Sequence, residues 1–132
     1  MEKRAVLPKN IAQPVSQAYS HAIDARGNRF LFIAGQVALD PSGKVVGIRD
    51  IRAQTRQVFE NIKAVLQAAG GGLENLVKTN TYMVNLDDYY AYTEVRSEYL
   101  THSPLPAATL LEVKSLALKD LLIEIEGIAL LD

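Results

Sequence analysis

Residues 121–130 read LLIEIEGIAL, and no other stretch restricts the fold as tightly. At a strand's period of two, Leu121, Ile123 and Ile125 share one face, while Leu122, Glu124, Glu126 and Ile128 share the other. One side of such a strand demands an apolar layer. The other side presents two carboxylates among aliphatic residues. Either those acids face water, or one of them is held at an interface or pocket wall, where desolvation can tune it for proton transfer. Residues 108–114 read as a companion strand, with Lys119-Asp120 in the intervening turn.

The preceding chain supplies the apolar layer. Residues 3–8 suit a short edge strand closed by Pro8, followed by a proline-containing loop over 11–14. Two further strands, 17–23 and 29–39, flank the turn 24–28 and predict a hairpin. The continuous apolar run Phe30, Leu31, Phe32, Ile33 predicts burial on both faces, and Gly35 within that strand marks a bulge or a close backbone approach. Asp40-Pro41-Ser42-Gly43 forms a turn. Asp50 then caps a helix over 51–69, whose apolar side carries Ile51, Val58, Ile62, Val65 and Leu66. Gly70-Gly71-Gly72 stops it. A strand over 77–84 and a tyrosine-rich helix begun by Asn85 follow, the latter ended at Ser103-Pro104-Leu105-Pro106.

The order strand, strand, strand, helix, strand, helix, strand, strand is an α+β layout, with both helices on one face of a sheet. The opposite face, carrying Phe32, Leu110, Leu122 and Ile128, then needs a cover, and packing of sheets in an oligomer is the simplest one.

Composition removes several function classes. A chain of 132 residues fits one domain, 1–132, and its formal net charge of -1 offers no electrostatic case for nucleic acid or an anionic membrane. The four tyrosines of the second helix have no basic stripe beside them, so helix–sheet and subunit contacts are their expected role. No run is long enough to span a membrane and the first ten residues lack an apolar core, so a cytoplasmic location is expected. Without cysteine and with only His21 and His102, thiolate chemistry and histidine-rich metal sites have no material. Phosphate-loop, GxSxG and HExxH patterns do not occur.

Four strings carry a resemblance when taken in order: Ala34-Gly35-Gln36, IRAQTRQVFENIKAVLQAAG, VKTNTYMVNLDDYYAYTEVRSEYL, and Leu105-Pro106-Ala107 followed by LLIEIEGIA. Over nearly its whole length the chain resembles the RidA/YjgF family of imine and enamine deaminases, whose older label is L-PSP endoribonuclease. The resemblance implies a chorismate-mutase-like fold, a single mixed six-stranded sheet with two helices on one face, assembled as a homotrimeric barrel. It also implies small-molecule ligands or substrates in clefts between subunits, hydrolysis of the C=N bond to a carbonyl product and ammonia, and neither metal nor organic cofactor.

By position, the resemblance makes Glu124 the catalytic residue that holds the attacking water. It assigns substrate binding to Tyr19, Ala34, Gly35, Thr93, Ala108 and Leu110. Several of these differ from the family pattern. An arginine that clamps the substrate carboxylate stands where this chain has Ala108; a serine is replaced by Ala34, an asparagine by Thr93, and a cysteine or threonine by Leu110. A hydrogen bond to a charged group contributes about 1.5–3 kcal/mol, so loss of the arginine alone weakens a small 2-imino acid by about one to two powers of ten. Altered substrate specificity is therefore expected, with Arg29, Arg96 or Lys114 as candidate replacement cations. The alternative is a trimer of the same fold that binds or senses a small ligand without turnover. Ribonuclease action is disfavoured by the net charge and by the lack of a paired-histidine site.

Overall fold

The computed structural model describes residues 1–14 and 18–132. Strand β1 (Glu2–Val6) is followed by β2 (Ala22–Arg26) and β3 (Arg29–Val37), then helix α1 (Ile51–Ala68), β4 (Leu76–Met83), helix α2 (Tyr89–Tyr99), β5 (Ala107–Glu112) and β6 (Ile123–Leu131). Seven of the eight expected elements lie where the sequence places them, while the strand expected over 17–23 is displaced to Ala22–Arg26 and takes in residues 24–26 of the expected turn. Part of the strand expected over 17–23 lies outside the described residues, and within them that strand begins at Ala22.

The mixed α+β architecture with two helices holds, but hydrogen bonding divides the strands into two ladders. One has the order β3-β6-β4-β5, with β4 and β5 parallel and the other neighbours antiparallel; β1 and β2 form a separate antiparallel pair. The expected hairpin between β2 and β3 is therefore replaced by antiparallel pairing of β2 with β1. The cause lies at the turn. Asn28 N–H donates to the carbonyl of Leu131 at 2.8 Å, and a Cβ on Gly27 would come within 2.8 Å of both Leu130 Cγ and that carbonyl oxygen. The chain thus crosses close over the end of β6, and β2 leaves for β1 while β3 pairs with β6.

Strand β6 is the axis of the larger ladder. Ile123, Ile125, Ala129 and Leu131 are buried against α1, in a cluster with Val58, Phe59, Ile62 and Leu66. Asp50 caps α1 by accepting from Ala53 N–H at 3.1 Å. At the other end Gly71 N–H reaches the Leu66 carbonyl at 2.8 Å, with Gly70 in the left-handed region at φ 85°. The outward face of α1 joins α2 through Arg52–Glu94 at 2.5 Å and Arg56–Glu98 at 3.1 Å.

The other face of the sheet is open. Phe30 and Phe32, expected to be buried on both sides of their strand, are 68% and 74% exposed and stack on each other with centroids 6.1 Å apart. The apolar run suggests a central strand, but β3 is an edge strand whose outward residues have no second layer in the single chain. Leu110 departs differently: it pairs in register with Thr81, on the helix side.

Candidate functional site

Glu124 projects from β6 onto the open face, opposite Tyr82 of β4 and Val37 of β3. The β3–β6 register slips by one residue between Ile33 and Gln36, which places a bulge at Ala34-Gly35. There the Glu124 side chain lies directly over the Gly35 backbone. A Cβ on Gly35 would collide with the carboxylate, 2.8 Å from Cδ. Gly35 is therefore required by space, and Ala34 stands beside it in the same bulge.

Polar side chains of α1 fix both strands at this point. Asn61 donates to the carbonyls of Val37 and Leu39, each at 3.1 Å. Fully buried Gln54 donates to the Asp120 and Gly47 carbonyls at 2.7 and 3.1 Å, and accepts from Leu122 N–H at 2.8 Å. These contacts anchor the end of β3 and the entry to β6. The sequence carried a signal for Gln54, a polar residue one turn beyond Ile51 on the buried side of α1; apolar periodicity alone passes over it.

Glu126, two residues along the same face, is tied down. Its Oε1 accepts from Tyr82 Oη at 2.5 Å and Asn80 Nδ2 at 3.1 Å, and these two bonds, Tyr82 first, hold its carboxyl below the usual range. The shared proton bond pushes the Tyr82 phenol up. Glu124 takes no hydrogen bond from the described residues.

A cavity of about 550 Å³ lies between α2 and the β4–β5 edge. Four of the expected residues, Tyr19, Thr93, Ala108 and Leu110, line it. Thr81, Tyr92 and Arg96 close its floor. Tyr92 and Thr81 are joined by a 3.0 Å hydrogen bond between their hydroxyls; burial pushes the Tyr92 phenol up, and the adjacent Arg96 guanidinium opposes that shift. Of the three candidate cations only Arg96 lines this cavity. Arg29 instead donates to the carbonyls of Asp132 and Ala69 at 3.0 and 3.2 Å, while Lys114 is an exposed residue just past β5. His21 bonds the Ala12 carbonyl at 2.6 Å.

The candidate residues thus fall into two groups. Thr81, in register with Leu110 and Ile125, faces the helices; Tyr82, in register with Leu111 and Glu124, faces away. Tyr19, Thr93, Ala108 and Leu110 therefore gather at the helix-side cavity, whereas Ala34, Gly35 and Glu124 gather on the open face. One chain does not bring the two groups together. No group of three or more histidine, aspartate or glutamate side chains among the described residues is arranged to share a metal ion, and no helix is long and apolar enough to cross a membrane.

The family described as Endoribonuclease L-PSP matches residues 10–131. A RutC family protein of Pyrococcus horikoshii is 46% identical over 127 residues, covering 96% of this chain and 97% of that protein. A crystal structure of a protein of unknown function from the conserved Rid family of Yersinia pestis superposes with a TM-score of 0.89 at 37% identity, covering 99% and 100% of the two chains. RidA from an Antarctic Psychrobacter superposes with a TM-score of 0.73 at 33% identity, covering 97% and 100%.

Proposed function

Because the chain belongs to the RidA/YjgF proteins of the Endoribonuclease L-PSP family, we propose that it is a hydrolytic deaminase of imine and enamine intermediates. It works as a homotrimer in which Glu124 of one subunit faces the α2–β5 cavity of the next. The observation that carries this reading is the separation of the candidate residues onto opposite faces of the sheet, with Glu124 lying over the Gly35 bulge without a hydrogen bond among the described residues. A second subunit supplies what one chain lacks, and the exposed Phe30 and Phe32 beside Ala34 supply apolar surface for that contact.

The chemistry follows from the groups available. Glu124 accepts a proton from a water molecule as its oxygen bonds to the C=N carbon, giving a tetrahedral carbinolamine. The glutamic acid passes that proton to nitrogen, and the carboxylate then relays the carbinolamine hydroxyl proton to the same nitrogen as the C–N bond breaks and the oxygen forms the new C=O. Water is consumed; ammonia and a carbonyl compound leave. No electrons are transferred. Backbone at Ala34-Gly35 borders the reacting centre, and Tyr19, Thr93, Ala108 and Leu110 shape the remainder of the substrate pocket.

The test is to generate 2-imino acids in situ with an amino acid oxidase and follow release of ammonia and keto acid. We expect acceleration by the wild-type chain and at least a tenfold loss in Glu124→Gln. Equal rates with and without the protein, across small and large side chains, would leave the non-catalytic ligand-binding trimer as the better reading.

A further inference from the structure

We propose that Arg96, on α2, is the carboxylate-binding residue of the cavity, and that the ligands it selects are monocarboxylates with an aromatic or branched apolar body. The proposal rests on the deaminase reading only for the reacting C=N group; recognition of the carboxylate stands apart from turnover. Arg96 is 3% exposed, and its Nη2 is buried without a hydrogen-bond partner among the described residues. A guanidinium cannot escape such a position by losing its proton. A buried donor left unpaired is costly, and a buried cation more so.

The neighbouring acids do not relieve it. Glu94 and Glu98, two residues to either side on α2, are engaged by Arg52 and Arg56 of α1. Several hydroxyls around the cavity are also committed. Thr93 donates to the Tyr89 carbonyl at 2.9 Å, and Thr81 and Tyr92 bond each other. Arg96 shares a hydrogen bond with the Tyr92 hydroxyl, and what remains is its Nη2 donor, unpaired among the described residues, in a pocket whose wall includes Leu86, Leu110 and Tyr90. That combination fits an amphiphilic anion: the carboxylate meets Arg96 and the apolar body fills the space left open by Ala108.

The positive charge expected after Pro106-Ala107 on β5 has thus been moved across the cavity to α2. A guanidinium rising from Ala108 would consume cavity volume; one lying in the α2 wall leaves it free. About 550 Å³ is more than a three-carbon acid occupies and lies within the ordinary range for a drug-sized ligand. Enlarged substrates follow from the same exchange that removed the β5 arginine.

The experiment compares 3-phenylpropionate with 3-phenylpropanamide, which matches its shape without the charge, by calorimetric titration of the full chain at neutral pH. Neither probe contains a C=N bond, so the result is independent of whether the protein is a deaminase. We expect the acid to bind at least about tenfold more tightly than the amide. Arg96→Met should abolish that preference by weakening the acid alone, and Arg96→Lys should retain part of it. Should Arg96→Met fail to fold, the wild-type comparison and Arg96→Lys still decide. Equal binding of acid and amide by wild type, binding of neither, or an undiminished preference in Arg96→Met overturns the proposal.

Discussion

The Glu124 carboxylate lies against the Gly35 backbone, so closely that no β-carbon fits between them. Two distant parts of the chain meet there because the β3 bulge and the β6 register bring them to one point on the open face. Gly35→Ala should therefore displace the carboxylate. The obstructing atoms belong to the end of a flexible side chain, so we expect less than about 1 kcal/mol of lost stability. Imine hydrolysis should nevertheless fall at least tenfold. Denaturant unfolding and rate measurement on the same preparation separate the two effects.

From a fully buried position Gln54 makes two backbone hydrogen bonds at the entry to β6, with Asp120 and Leu122, and a third to Gly47 ahead of α1. Gln54→Leu removes all three and leaves backbone groups of Gly47, Asp120 and Leu122 unpaired. We expect destabilisation of about 2–4 kcal/mol, read from the urea midpoint at unchanged slope.

Glu126 has a folded-state pKa held below its ordinary value by Tyr82 and then Asn80. A depressed carboxylate contributes stability that is present above the unfolded pKa and lost as pH falls through the folded one. Wild type should lose this contribution on the acid side, below about pH 4. Glu126→Gln should show a smaller stability difference from wild type at low pH than at neutral pH. Unfolding midpoints measured across that window check the sign.

Phe32 is 74% exposed on the open face and lies in register with Ile128. Phe32→Asp should leave the helix-side core intact while placing a charge at the proposed subunit contact. We expect the proposed trimer to dissociate, with monomer appearing in sedimentation velocity, and the far-ultraviolet circular dichroism to be retained.

Much of this architecture was legible because local chemistry and tertiary packing agree. Asp50 caps α1, Gly70 ends it, and the alternation of 121–130 assigns Ile123 and Ile125 to the core and Glu124 to the opposite face. Other features depend on partners remote in sequence. Apolar periodicity cannot distinguish a central strand from an edge strand, which is why the run 30–33 reads as buried while Phe30 and Phe32 are exposed. The turn at 24–28 suggests a local hairpin, but Asn28 finds its acceptor at Leu131 instead. Nor can spacing alone tell which of Arg29, Arg96 and Lys114 lines the cavity; among them it is Arg96, buried beside Tyr92.

Complementation between two inactive variants tests the shared site most directly. Glu124→Gln removes the proposed base, while Ala108→Trp fills the cavity; each should form an assembly inactive towards 2-imino acids. Unfolded together and refolded as mixed trimers, verified by native mass spectrometry, they should regain ammonia release, because an intact Glu124 then faces an intact cavity across some subunit boundaries. Mixed trimers that form yet remain as inactive as their parents would contradict a site built from two chains.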